Sequence, residues 1–488
     1  MRRAAVVLGV SAAIQIALCA LPDTMGDLLQ YRHWCRTLAA DGLAAAYWPP
    51  DTARSPVYGP VDYPPLVPYA LWGLGRGLAA TAPALLASDR WLDFWIRLPG
   101  CAALLLLAGL VGSETRRFAP GRADLAIAAV ALNPALVFDT AYWGQTDSLC
   151  ALAIAAAMVA LVRGRPELAW AALTVAAGIK PFALPFGPIV LVETVRRFGA
   201  RRAATGALAS AAVAAAIVAP FAVEGRLGDI LHAVFAQAEA MPYASVNAHN
   251  LWWLLCRGLP WTEASARVAG LVTLRGLGLL LFAALGAATL WRLARSADSR
   301  AAYVAATSVG FGFFVLSTHM HENHLFYGVA LMAFVAATTR RAGILFVGAS
   351  LTLLLNMALH DPLATQLARP LVPGPQLVLP RHGEPDPAIA SSLAAAGYPW
   401  LAGEIRGEVS LVGLLATMVN AQANLVLLAA WLGLALAAAG HAPPPFVEGP
   451  TWPRSRASLL ALLGVVFLAG LPFAAKAFAE AGLPWGLS

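Results

Sequence analysis

The sequence predicts an all-α polytopic membrane protein, and three observations carry that reading. Hydrophobic residues make up 59% of the 488-residue chain and charged residues only 12%, against about 25% charged in soluble globular domains. Long stretches contain no charge at all, and without water their backbone groups must be satisfied internally, which restricts spanning elements to helices and closed barrels. Those stretches are rich in Ala, Leu, Val and Gly with little β-branched alternation, which argues against a barrel.

Basic clusters place the cytoplasmic side. They are Arg2/Arg3, Arg116/Arg117/Arg122, Arg163/Arg165, Arg196/Arg197/Arg201/Arg202, Arg292/Arg295/Arg300, Arg340/Arg341 and Arg454/Arg456. Between consecutive clusters the chain must leave the inner face and return to it. Residues 4–21 go out, and 22–93 form a first outer loop rich in Asp, Tyr, Trp and Pro. Residues 94–112 return, 124–138 go out and 147–162 return. The stretch 168–195 dips out and back, broken at Gly178-Ile179-Lys180-Pro181. Each half is too short to span about 30 Å, so the pair needs protein or a wet cavity around it. Residues 204–223 go out, 224–267 form a second outer loop, and 269–290 return. Residues 302–317, 325–339 and 342–359 alternate. A third, Pro-rich outer loop covers 360–408, and 410–438 and 457–474 complete the pattern. The total is roughly 13 membrane segments in one integral membrane domain, 1–488, with no internal repeat.

The net charge of +7 sits in the short inner loops as a topology signal, so the chain's partner is membrane lipid rather than nucleic acid. The five cysteines, Cys19, Cys35, Cys101, Cys150 and Cys256, show neither CxxC spacing nor a disulfide framework and read as small core residues. No cofactor or metal site is expected. The start of the chain resembles a signal peptide, but Gln15 interrupts its apolar core, so residues 4–21 read as the first span.

Polar chemistry gathers in the outer loops. Asp27 lies just past the first span, where partial desolvation raises a carboxylate's basicity and suits it to take a proton from an attacking hydroxyl. On spacing alone, an Asp capping the helical run after it fits as well. Asp62-Tyr63-Pro64-Pro65 is a stiff turn, because both prolines fix φ. Asn133-Pro134 precedes Asp139-Thr140-Ala141-Tyr142-Trp143-Gly144-Gln145-Thr146-Asp147 at the tip of a helical hairpin; Gln145 and Asp147 are the type that bonds sugar hydroxyls, or simply a polar tip. Lys180 is a lone cation in an apolar region, either a site for an anion or a snorkelling lysine. Asn250-Leu251-Trp252 opens a short segment that also fits an interfacial anchor. His319, His321 and Glu322 form the densest polar cluster; HExxH spacing is absent, which favours anion and sugar contacts over zinc.

Taken together, these motifs resemble the GT-C superfamily of membrane glycosyltransferases. They are most similar to the dolichyl-phosphate-glucose-dependent glucosyltransferases of the eukaryotic N-glycan pathway. Gly26-Asp27 through Arg32-His33-Trp34 matches the stretch in the first luminal loop of those enzymes. Asp62 to Leu66 matches their Asp-Tyr-Pro-Pro-Leu, Asp139 and Gln145 their hairpin, and His321-Glu322 their His-Glu motif. Bacterial polyprenyl-phosphate-dependent mannosyltransferases are similar at Trp143 to Asp147 and Asn250 to Trp252. Two features depart from the pattern: Asn323 stands where a Lys follows His-Glu, and the 360–408 loop has no counterpart.

The resemblance implies a GT-C fold, Asp27 as catalytic base, inversion at the anomeric carbon and no metal. The function expected is transfer of a hexose from a polyprenyl-phosphate donor to a hydroxyl of a glycan or glycolipid. The reaction is expected on the periplasmic face of a bacterial inner membrane. Lys180, His319, His321, Arg32 and Arg406 are the expected donor-phosphate contacts. His33, Trp34, Asp62, Tyr63, Asp139, Trp143, Gln145, Asp147, Asn250, Trp252 and Glu322 are the expected substrate contacts. Two other readings stay open: a transporter or flippase of lipid-linked sugars, and a GT-C enzyme that modifies protein or lipid A.

Overall fold

The structure, a computed structural model, describes residues 2–22, 26–47, 59–235, 241–258, 262–361, 376–378 and 408–437. Among the described residues six helices are long and apolar enough to cross a membrane. A bent pair, Pro120–Ala131 with Pro134–Trp143, makes a seventh if it is one span. Shorter apolar helices cover Asp147–Val162, Pro166–Ile179, Ala301–Leu316 and Phe326–Ala336. Most of each segment read from the sequence up to residue 437 falls on helix, with 269–273 turn and strand before the helix Leu274–Arg295, and the chain is a multi-pass membrane protein. The segment 457–474, most of the 360–408 loop and Arg406 lie outside the described residues.

The chain divides into two compact units. The first comprises Met1–Ala240, Leu290–Thr307 and Ala330–Thr338. Helix α1, Arg2–Cys19, is the first span. The stretch 22–93, expected as loop, instead folds largely as α2 (Asp27–Asp41), α3 (Leu66–Thr81), α4 (Pro83–Ala87) and the start of α5 (Asp89–Phe118). The reason lies in its period. Leu28, Leu29, Tyr31, Trp34, Cys35 and Leu38 recur at three- and four-residue intervals and are all buried, so α2 is amphipathic despite its polarity.

Helix α5 is the axis of this unit and packs against α1, α2, α6 (Ala123–Ala131), α7 (Pro134–Val137) and α8 (Asp147–Val162). Close approach to α6 requires a glycine at 112, where a Cβ would lie 2.3 Å from Ile127 Cγ1. Helix α8 is apolar on every side and largely buried, as a helix enclosed by protein must be. Helix α9 (Pro166–Ile179) ends where the sequence places a break. Pro181 forces Lys180 into extended backbone, φ −143 and ψ 140. A 3₁₀ turn, Pro181–Phe186, then leads into α10 (Gly187–Phe198). Helix α11 (Ala200–Val223) packs on α9 and leaves Leu208 and Val223 exposed on a surface suited to lipid. Helix α12 (Leu227–Phe235) follows.

Several arginines of the clusters read as inner-face signals are also ion-paired. Buried Glu114 binds Arg163 at 2.6 Å and Arg117 at 3.2 Å, and accepts a hydrogen bond from Tyr303 Oη. Buried Glu193 binds Arg196 at 2.7 Å and Arg197 at 3.3 Å.

The second unit comprises Met241–Thr289, Ser308–Val329 and Thr339–Ser488. Its long helices include the Leu274–Thr289 part of Leu274–Arg295, Arg340–Ala358, N-capped by the Thr339 side chain, and Leu411–Ala437, which packs along Arg340–Ala358. A short helix, Leu251–Leu255, sits against Leu411–Ala437 through Trp253, Leu254, Met418 and Ala421. Strand Ser245–Val246 pairs in parallel with Met320–His321, and Gln376–Val378 pairs antiparallel with Glu408–Ser410.

Candidate active site

The first unit builds a polar cluster around Asp27, starting from the hairpin tip. Asn133 Oδ1 accepts from the backbone N–H groups of Ala135 and Leu136, and Pro134 opens the helix Pro134–Val137. A π turn, Phe138–Trp143, follows and closes on Gly144, whose φ of 89° is left-handed. The N–H groups of Gly144 and Gln145 both donate to the Asp139 carbonyl. A wide turn of this kind re-aims side chains out of the helical repeat. It sends the Trp143 indole N–H to Asp27 Oδ2 at 2.5 Å and the Gln145 amide N–H to the same oxygen at 2.7 Å. Asp27 is half-buried at the first turn of α2, directly after Gly26 with φ 90°. Two donors from one turn thus fix the orientation of one carboxylate.

Tyr31 and Tyr63 lie beside it. Their hydroxyls are 2.6 Å apart, and the Tyr63 carbonyl accepts from Tyr47 Oη. Burial pushes both phenols above their usual range; for Tyr31 the charges of Asp27 and Asp62 add to this, while for Tyr63 the charge of Lys180 opposes it. Both stay protonated at neutral pH and leave the carboxylates as the available bases. Lys180 Nζ sits 5.5 Å from the Tyr63 ring centroid and 2.7 Å from Asp147 Oδ2. Asp27, Asp62, Tyr63, Asp139, Trp143, Gln145, Asp147 and Lys180 therefore belong to one neighbourhood of one unit.

Several expected roles change. Lys180 and Asp147 are both buried and neutralise each other. Arg32 is buried with Asp93 at 2.6 Å and ties α2 to α5. Neither cation is held ready for a phosphate. Trp34 is 3% exposed, donates its indole N–H to the Gly59 carbonyl and packs on Tyr31 and Tyr63, so it is a core residue rather than a sugar platform. Asn250 accepts from the N–H groups of Trp252 and Trp253 and donates to the carbonyls of Phe314 and Ser317; its amide is spent on a helix cap. Trp252 is fully buried, with its indole N–H on the Leu316 carbonyl. His33 is half-buried, and burial followed by the charge of Arg36 holds its imidazole below the usual range.

His319, His321 and Glu322 lie in the second unit. His319 has a left-handed φ of 62°, unusual for a side chain of its size and a form of strain found at functional sites. Its ring accepts or donates to Thr318 Oγ1 at 2.9 Å, and burial, then Arg275, holds it below the usual imidazole range. His321 Nδ1 is 3.9 Å from Glu322 Oε2. The pairing of Ser245–Val246 with Met320–His321 fixes this turn in place.

Two groups escaped the sequence reading. His249 and His360 share a 2.9 Å hydrogen bond between their Nε2 atoms, and Asn420 Nδ2 is 2.9 Å from His249 Nδ1. The second unit thus holds an imidazole pair, His249 buried and His360 half-buried, which a separation of 111 positions hides from any spacing argument. The other is Arg97 on α5. It is 1% exposed, and its Nη1 donates to the carbonyls of Cys19 at 2.9 Å and Leu21 at 2.7 Å, the end of α1. A charge inside the 94–112 segment was the available signal.

Residues 63–318 match the sequence profile of glycosyltransferase family 87. No curated protein sequence matches the chain. Among solved structures, the crystal structure of ArnT from Cupriavidus metallidurans bound to undecaprenyl phosphate is similar, with 16% sequence identity and a TM-score of 0.47. That match covers 98% of this chain and 79% of the other.

Proposed function

The chain belongs to glycosyltransferase family 87, and from that premise we propose that it transfers a hexose from a polyprenyl-phosphate donor to a hydroxyl of a lipid-linked or surface glycan. The observation that supports this most is the Asp27 carboxylate, half-buried at the end of the first span and oriented by Trp143 and Gln145. In this reading Asp27 accepts the proton of the acceptor hydroxyl. The freed oxygen attacks C1 of the sugar from the face opposite the phosphate, and the C1–O bond to phosphate breaks with both electrons leaving on phosphate. The anomeric configuration inverts. A base that is oriented in advance removes an entropic part of the barrier, and general-base help contributes about 10²–10⁴-fold.

The lipid-tethered donor is supported by where the cluster stands. Asp147 opens an apolar, enclosed helix and Asp93 and Arg97 lie on a membrane-length helix. A sugar held at the membrane surface by a polyprenyl chain meets such a site without crossing water. The polar residues of 22–93 and the basic inner clusters favour the periplasmic face. His33, Asp62 and Tyr63 are proposed to line the sugar path. His319, His321 and Glu322 are proposed as further donor or acceptor contacts.

Reconstitution tests the donor. The purified chain is placed in proteoliposomes with membrane glycolipid extract as acceptor. It is offered radiolabelled polyprenyl-phosphate mannose or glucose, or the matching nucleotide sugars. Label should reach glycolipid only from a polyprenyl-phosphate donor. Transfer from nucleotide sugars alone would overturn the proposal.

A further inference from the structure

We propose that Arg97 is the cation that receives the phosphate of the lipid-linked donor. This rests on the donor reading given above and deepens it. A guanidinium stays charged at every accessible pH, and a charge buried at membrane depth needs a partner of opposite sign. The other two buried cations near Asp27 have theirs: Arg32 holds Asp93 and Lys180 holds Asp147. Arg97 has none among the described residues. Its Nη1 meets two carbonyls at the end of α1, whose dipole supplies only partial negative charge. Its Nε and Nη2 are buried with no hydrogen-bond partner. These two nitrogens form one edge of the guanidinium, and their N–H bonds point side by side. That edge is the fork that takes an oxyanion in two parallel hydrogen bonds.

The placement fits the proposed reaction. A Cβ built on Gly144 would lie 3.0 Å from Arg97 Cγ, 3.3 Å from Arg97 Nε and 3.1 Å from Leu28 Cδ2. The Nε side of the guanidinium therefore lies beside Gly144, where Leu28 also packs, each one residue from a member of the pair Gln145 and Asp27. A phosphate on Arg97 would lie beside the turn that orients the base. A side chain at 144 would crowd that edge, which the glycine avoids.

Binding of three probes to the purified full chain in detergent tests the assignment. The probes are undecaprenyl phosphate, undecaprenol and inorganic phosphate. Wild type should bind undecaprenyl phosphate much more tightly than the other two. Arg97→Gln should weaken undecaprenyl phosphate by about 10- to 100-fold, as loss of a charge-assisted bidentate contact does, and leave undecaprenol unchanged. Arg202→Gln, at a surface arginine paired with Glu167, should match wild type. If R97Q does not fold, Arg97→Lys decides: it keeps the charge but loses the fork, and should still weaken binding several-fold. Wild-type-like affinity of folded R97Q, or of R97K where R97Q fails to fold, overturns the Arg97 assignment and leaves the donor reading standing. A wild type that does not prefer undecaprenyl phosphate over undecaprenol overturns both. Inorganic phosphate binding as tightly as the lipid, in an Arg97-dependent way, overturns the lipid source.

Discussion

Gln145 illustrates how a single amide sets up a base. Its N–H fixes Asp27 Oδ2 at 2.7 Å while Trp143 holds the same oxygen from the indole side. Gln145→Leu removes one of the two constraints, so kcat should fall about 10-fold with a smaller change in KM, because a misoriented base costs rate more than binding. Steady-state kinetics with a polyprenyl-phosphate sugar measures both. Lys180 behaves differently. Its partner Asp147 is fully buried, so Lys180→Met removes the counter-charge of a buried carboxylate and should destabilise the protein by about 3–5 kcal/mol. The double variant K180M/D147L should recover most of that loss in a thermal unfolding measurement. At this scale the sequence showed Asp27, Gln145 and Lys180 as polar points in apolar surroundings. It did not show that Lys180 and Arg32 were already neutralised, because their partners lie 33 and 61 positions away.

The hairpin turn and the loop segments that carry the histidine pair work as elements. Gly144 combines a left-handed φ with close contact to Arg97 and Leu28. Gly144→Ala should cost about 1–3 kcal/mol from backbone strain and crowding, and activity should fall further than stability because Trp143 and Gln145 turn with it. The imidazole pair has its own signature. If Asn420 Nδ2 donates to His249 Nδ1, the His249 proton sits on Nε2 and is donated to His360. A second proton on either ring would set two N–H groups face to face. Burial holds His249 well below the usual range, with His360 adding to it, and brings His360 from 6.5 to about 4. Unfolded imidazoles take up protons near pH 6.5 while these folded ones do not. Stability is therefore level above that pH and falls as pH drops from about 6.5 toward 4. Thermal midpoints across that window check this, and His360→Gln should flatten the fall. Helix boundaries were legible because apolar period and Pro181 act locally. Helix α2 is hard to see in the sequence because its polar residues, Asp27, Gln30, Arg32, His33, Arg36 and Asp41, mask its apolar period.

For the whole molecule, composition settled the environment, since 59% hydrophobic residues leave too few charges for a soluble surface of this size. The glycosyltransferase resemblance drawn from ordered motifs agrees with the family match over residues 63–318. Folding adds the grouping of side chains: the turn before Gly144 brings Trp143 and Gln145 to Asp27, more than a hundred residues earlier. Two expected sugar contacts are core residues, Trp34 in the first unit and Trp252 in the second. The claim on which the rest depends is that Asp27 deprotonates the acceptor. Single-turnover transfer from a labelled polyprenyl-phosphate sugar, compared between wild type and Asp27→Asn at equal amounts of folded protein, tests it most directly. The account predicts a rate lower by about 10²–10⁴-fold in D27N with donor affinity retained. A D27N rate equal to wild type would contradict it.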